Sequence, residues 1–302
     1  MMEFDGKVAV ITGAAGGLGR EYAGIAAALG MKLVLADIDS DALEAATEEL
    51  QAGGAEVLSM VCDVRKCAHV EELADAAMIR FHAVHLVFNN AGVAAGGLLW
   101  EHTEADWEWV LGVNLWGAIH GARIFTPLML ACASRDPGYR GHIVNSAALA
   151  GLAGAPGMGL YNVAEHGLVA LSESLYHDLR LVGAPIGVSV VCPDVLPTGF
   201  DRSWRHRPHD LHKDGQAPTP SQKAAQALLE KRVALATVTA EEVARMTFDA
   251  IRDGRFQVQP HGQQLPGVAA RIAAIARGEA PPDPYAAQPD FLGLIRDASR
   301  RN

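Results

Sequence analysis

Lys7–Thr12 (KVAVIT) runs directly into Gly13-Ala14-Ala15-Gly16-Gly17-Leu18-Gly19, and Arg20–Leu29 continues as a run of good helix formers. A β-branched strand, a glycine turn and a helix, in that order, decide the fold. Gly13 permits the tight turn, while Gly16 and Gly19 let strand and helix approach closely. The N–H groups that open such a helix lack intrahelical partners, so they suit a pyrophosphate. Asp37 follows 24 residues after Gly13, at the end of a second strand, Lys32–Ala36 (KLVLA). That is close to the ~20 expected for a carboxylate that binds ribose hydroxyls. An Asp there repels a 2′-phosphate and favours NAD(H); Arg20 keeps NADP(H) open.

Outward from this unit the same alternation continues. Asp41–Gln51 reads as a helix, Glu56–Val61 as a strand, His69–Phe81 as a helix and His85–Phe88 as a strand. Helix Glu104–Ala133, strand His142–Ser146, a helix from about Tyr161 to Leu181 and strand Gly187–Cys192 complete the pattern. Apolar strands separated by helices imply an α/β fold, a Rossmann-type doubly wound parallel sheet. After Pro193, residues 201–222 are polar and Pro-containing and read as a mobile loop. Thr239 with Glu242 forms a capping box at the start of another helix, and Arg255–Val258 adds a last strand. The tail holds one Ala-rich helix and then a PPDP turn. Neither a repeat nor an interdomain linker is visible. The reading is a single dinucleotide-binding and catalytic domain over 1–262, with a substrate loop at about 195–235, and a C-terminal extension over 263–302.

Composition excludes several classes. Half of the 302 residues are apolar and a fifth are charged, enough for a sizeable core. Lys plus Arg total 25 against 35 Asp plus Glu, a net charge of −10. That balance argues against nucleic acid or an anionic membrane as partner. Cys62, Cys67, Cys132 and Cys192 form no CxxC pair and read as reduced thiols of a cytoplasmic protein. The opening MMEFDGK lacks the basic and apolar regions of a secretory leader, and no stretch approaches the ~20 apolar residues of a membrane span. His206, His209 and His212 recur every three residues, but Pro208 breaks any helix that would converge them on a metal. His166 falls about 100° from Glu165 on its helix and reads as structural. Trp100, Trp107, Trp109 and Trp116 read as core or interface, and Trp204 as a wall for a small-molecule substrate.

Together, the Thr12–Gly19 turn, Asp63 in CDV, Asn89-Asn90-Ala91-Gly92, Asn114 in VNLWG, and Tyr161 closely resemble the short-chain dehydrogenase/reductase family, over about residues 5–200. The resemblance implies a nicotinamide cofactor held by Gly13, Ala15, Gly16, Gly17, Leu18, Gly19, Asp37 and Ile38. It implies adenine contact at Asp63 with Val64 alongside, and further cofactor contacts at Asn90, Ala91 and Gly92. Pro193, Leu196 and Thr198 correspond to the segment that meets the nicotinamide carboxamide. Tyr161 would be the general acid or base and would contact the cofactor together with residue 165, where Glu165 can accept from the ribose hydroxyls, and Asn114 would support a water chain. Homodimers or homotetramers would form through the helices at 104–133 and 161–181.

The departures carry the chemistry. The family's catalytic Ser position is Ala148, its Lys position is Glu165, and the Gly after Pro193 is Asp194. Ser146 offers a hydroxyl two positions upstream of Ala148. Tyr161 and Glu165 share a helix face, and a carboxylate beside a phenol keeps the phenol protonated. Losing the Ser hydroxyl removes a donor often worth ~2.7–4 kcal/mol to a developing oxyanion. A protonated imine needs no such donor and would be stabilised by Glu165 and Asp194. Three readings follow: hydride transfer to C=N, residual carbonyl reduction through Tyr161, or a silent dinucleotide-binding protein.

Overall fold

The computed structural model describes residues 3–212, 217–284, 293, 296 and 297. β1 (Val8–Thr12) leads through the glycine turn to α1 (Gly17–Ala28), then β2 (Lys32–Asp37). α2 (Ser40–Ala52), β3 (Val57–Val61), α3 (Cys67–Phe81) and β4 (Leu86–Asn89) complete the first half. The second half holds α4 (Glu104–Leu111), α5 (Gly117–Arg135), β5 (Gly141–Ser146), α6 (Gly159–Leu181) and β6 (Ile186–Val191). α7 (Pro220–Leu235), α8 (Ala240–Asp253), β7 (Gln257–Val258) and α9 (Leu265–Arg277) follow.

All six strand pairings are parallel, in the order β3-β2-β1-β4-β5-β6-β7. The order reverses between β1 and β4, and a crevice for ligands opens at such a reversal, beyond the carboxyl ends of the strands. Side chains alternate across the sheet, so each face builds its own core. On one face Ile11, Leu33, Leu35 and Phe88 pack with Tyr22 of α1 and with Val243, Phe248 and Ile251 of α8. On the other, Val10, Val34, Val87 and Ile143 pack with Leu73 and Ala77 of α3 and with Phe125 and Met129 of α5. Among the described residues no helix is long and apolar enough to cross a membrane.

Two expectations are corrected. The continuous helix over Glu104–Ala133 is interrupted at Gly112–Trp116 by a π-helical turn closed by the Gly117 N–H on Gly112 O. The wider turn brings Asn114 inward, where its side chain holds both backbone groups of Val93. The loop over 201–222 is also more regular than its composition suggests. Gly199–His206 and His209–Leu211 are 3₁₀ turns, and α7 starts at Pro220 behind a capping box between Thr219 and Gln222.

Candidate active site

The glycine turn is fitted to its surroundings by backbone. Gly13 has φ of +64°, and a Cβ there would lie 2.9 Å from Ala91 Cα. A Cβ on Gly19 would fall 2.0 Å from the Gly13 carbonyl, so both positions are closed to side chains. Gly16, by contrast, faces open space. No side chain caps α1 and no acidic residue sits in its first turn, so its leading N–H groups and the positive end of its dipole point into the crevice. Thr12 Oγ1 accepts from the N–H groups of Asn90 (3.0 Å) and Ala91 (3.2 Å), and Asn90 Nδ2 donates back to Thr12 O. This lacing holds the turn against the exit of β4.

Asp37 ends β2 beside the turn. Its carboxylate accepts from the Ala15 N–H at 2.9 Å and the Asp39 N–H at 3.1 Å, and it lines the crevice with Ile38. Arg20, which kept a 2′-phosphate in play, turns the other way. It donates to Ala46 O and pairs with Glu49 on α2, outside the cavity wall. Asp63 is held by a bidentate Arg65 and lines the cavity with Cys62 and Val64. The groups required by a dinucleotide are therefore present: open backbone N–H donors, a Cβ-free cradle and a ribose-side carboxylate. They fit NAD(H).

From the turn, one cavity of about 980 Å³ extends over the ends of β4, β5 and β6. Ser146, Ala147 and Ala148 form its floor, with Tyr161, Asn162, Glu165 and His166 from α6 along one side. Glu165 is 2% exposed, and its Oε1 accepts from Asn114 Nδ2 at 2.8 Å. Among the described residues it has no ion-pair partner. Burial raises its pKa to about 8, against a smaller lowering by the Asn114 hydrogen bond. Burial, followed by Glu165 and Asp194, pushes the Tyr161 phenol well above its ordinary value. At neutral pH the centre therefore holds two protonated acids, not the anionic carboxylate inferred from sequence.

The remaining expected residues fall as follows. Ala148 leads into a 3₁₀ turn that ties β5 to the exit of β6 through the Leu149 N–H on Pro193 O. The Ser146 hydroxyl lies 3.5 Å from the Tyr22 phenol, so it is partly engaged on the α1 side. Asp194 lines the cavity, but its carboxylate is paired with Arg232 of α7 and its N–H donates to His261. It is a neutralised group and not the second bare carboxylate expected. Pro193, Leu196 and Thr198 line the cavity, with Thr198 against Gly17. Trp204 is 59% exposed and outside the wall; Phe200, its ring 5.9 Å from that of Tyr161, and Ser203 take that place. His166, read as structural, donates from Nδ1 to Asn162 O and also lines the cavity. His206 faces Asp39 at 3.7 Å while His209 and His212 stack on each other, so the three do not converge. Sequence reasoning missed Arg232 of α7, Arg271 of α9 and Pro281–Pro284, which close the far end. Nothing in their spacing marks them, because they reach the cavity through tertiary contacts.

Residues 7–209 match the model of the short chain dehydrogenase family. The chain is 33% identical over 287 residues to a CLA biosynthesis dehydrogenase/reductase of Lactiplantibacillus plantarum, covering 93% of this chain and 97% of that protein. It is 30% identical to the C alpha-dehydrogenase of Sphingobium sp. strain SYK-6, covering 99% and 97%. Among solved structures, a short chain dehydrogenase/reductase from Burkholderia phymatum in complex with NAD superposes with a TM-score of 0.91 at 48% identity, covering 94% of this chain and 99% of that one.

Proposed function

The chain belongs to the short-chain dehydrogenase family, and from that premise we propose that it is an NAD(H)-dependent reductase of C=N bonds in small molecules. The observation that carries this reading is Glu165: a buried carboxyl beside Tyr161, with its pKa raised to about 8. An acid of that strength can protonate an imine nitrogen, which is a moderately strong base. A ketone oxygen is far too weak a base for the same transfer. It needs donors aimed at a developing oxyanion, and the position that would supply one is Ala148.

NADH, when bound, supplies the hydride that adds to the imine carbon. The turn from Gly13 to Gly19 would hold its diphosphate, Asp37 its ribose hydroxyls, Asp63 its adenine, and Pro193, Leu196 and Thr198 its carboxamide. The Asp37 carboxylate and the diversion of Arg20 to α2 support NAD(H) over NADP(H). Glu165 gives its proton to the substrate nitrogen and becomes a carboxylate facing an iminium cation. The charge it gains is stabilised by the Asn114 amide and by the substrate's own charge. Tyr161, kept as a phenol, orients the nitrogen by hydrogen bonding. Solvent returns the proton to Glu165 after the amine leaves.

Assembly as a homodimer or homotetramer through α4–α5 and α6, and a cytoplasmic location, belong to the same reading. Carbonyl reduction is the second reading, supported by the dehydrogenase names of the relatives and by the phenol that Tyr161 retains. The two separate on Glu165→Gln. Imine reduction should fall ~100-fold or more, the usual worth of a general acid, with NADH affinity kept. An unchanged imine rate in that variant would remove Glu165 as proton donor.

A further inference from the structure

The 3₁₀ turn Gly199–His206 lines the same cavity as the glycine turn. At its start, Thr198 packs on Gly17, its Cβ 3.4 Å from where a Gly17 Cβ would stand. Along it, Arg205 Nη2 lies 3.9 Å from where a Cβ on Gly199 would stand. Arg205 Nε is committed to Arg202 O at 3.2 Å, which fixes the plane of the guanidinium. Among the described residues Arg205 has no carboxylate partner; of the acids that line the same cavity, Asp37 is taken by backbone N–H groups, and Asp39 caps α2 and faces His206. Arg205 thus lines the same cavity as Gly16 and Gly17, with the outer edge of its guanidinium uncommitted among the described residues.

We infer that Arg205 is a diphosphate-binding residue, closing the pyrophosphate cradle from the side opposite α1. This rests on reading the crevice as a dinucleotide site. The chemistry is apt, because a planar guanidinium offers paired donors to two phosphate oxygens, whereas a helix terminus offers N–H groups from one side only. The turn that carries Arg205 also carries Ser203, which accepts the Ala94 N–H at 3.0 Å, and Phe200 beside Tyr161.

The test is titration of the full-length protein with NADH, ADP-ribose and adenosine, comparing wild type with Arg205→Ala and Arg205→Lys. ADP-ribose and NADH should bind about tenfold or more weakly to Arg205→Ala, the worth of one charge-assisted phosphate contact. Adenosine, which lacks phosphate, should bind as in wild type and so reports an intact fold. Arg205→Lys should recover part of the loss, and added salt should weaken ADP-ribose binding more in wild type than in Arg205→Ala. Equal ADP-ribose affinities in wild type and Arg205→Ala would overturn the inference. A wild type that binds neither ADP-ribose nor NADH would overturn the dinucleotide reading itself, and the inference with it.

Discussion

At position 165 a buried carboxyl stands beside Tyr161, where the resemblance to the family implies a cation. The local consequence is a reversal of proton economy: two neutral acids where an alcohol dehydrogenation would need a base. The spacing of Ala148, Tyr161 and Glu165 made these departures legible in sequence, since a fixed offset on one helix and one strand end needs no tertiary knowledge. The protonation state was not legible, because it depends on how completely Glu165 is buried. Restoring both departures tests the assignment. Ala148→Ser with Glu165→Lys should move the ratio of ketone to imine turnover toward ketone by at least tenfold, read as kcat/KM on a matched pair. A ratio that stays where it was would mean that these two positions do not set the preference.

Elements carry the site through their irregularities. The π-helical turn between α4 and α5 aims Asn114 at both Val93 and Glu165. Asn114→Ala should leave the Val93 N–H and C=O unpaired, costing about 1–3 kcal/mol of stability. It should also shift the alkaline limb of imine reduction to higher pH, because the amide hydrogen bond lowers the Glu165 pKa. A limb that moved to lower pH would detach it from Glu165. Such a bulge has no signature in apolar periodicity, so Glu104–Ala133 read as one helix. α7 was hidden for a related reason. Its polar face extends nearly all round, and the loop-like residues before it masked its start, although Thr219-Pro220-Ser221-Gln222 is a capping box with Pro at the first helical position. The strand–turn–helix at Val8–Ala28 was plain, because its signals are all local.

For the molecule as a whole, the parallel sheet and its reversal between β1 and β4 followed from the alternation of elements, whereas the closure of the cavity by α7, α9 and Pro281–Pro284 did not. Burial of Glu165 also has a global consequence. Its pKa rises from an ordinary 4.5 to about 8 on folding, so across that window the native state keeps a proton that the unfolded chain releases. Stability contributed at this site is therefore fullest at low pH and falls as pH rises toward about 8. Chemical denaturation should show Glu165→Gln gaining on wild type over that window, by a few kcal/mol, and parallel curves would exclude the raised pKa. The most direct test of the account is NADH consumption with a cyclic imine and its ketone analogue across pH 5–9, in wild type and Glu165→Gln. The account predicts faster consumption of the imine, falling as pH rises through about 8, with that limb lost in the variant. A ketone consumed as fast as the imine, with the same pH profile in both proteins, would contradict it.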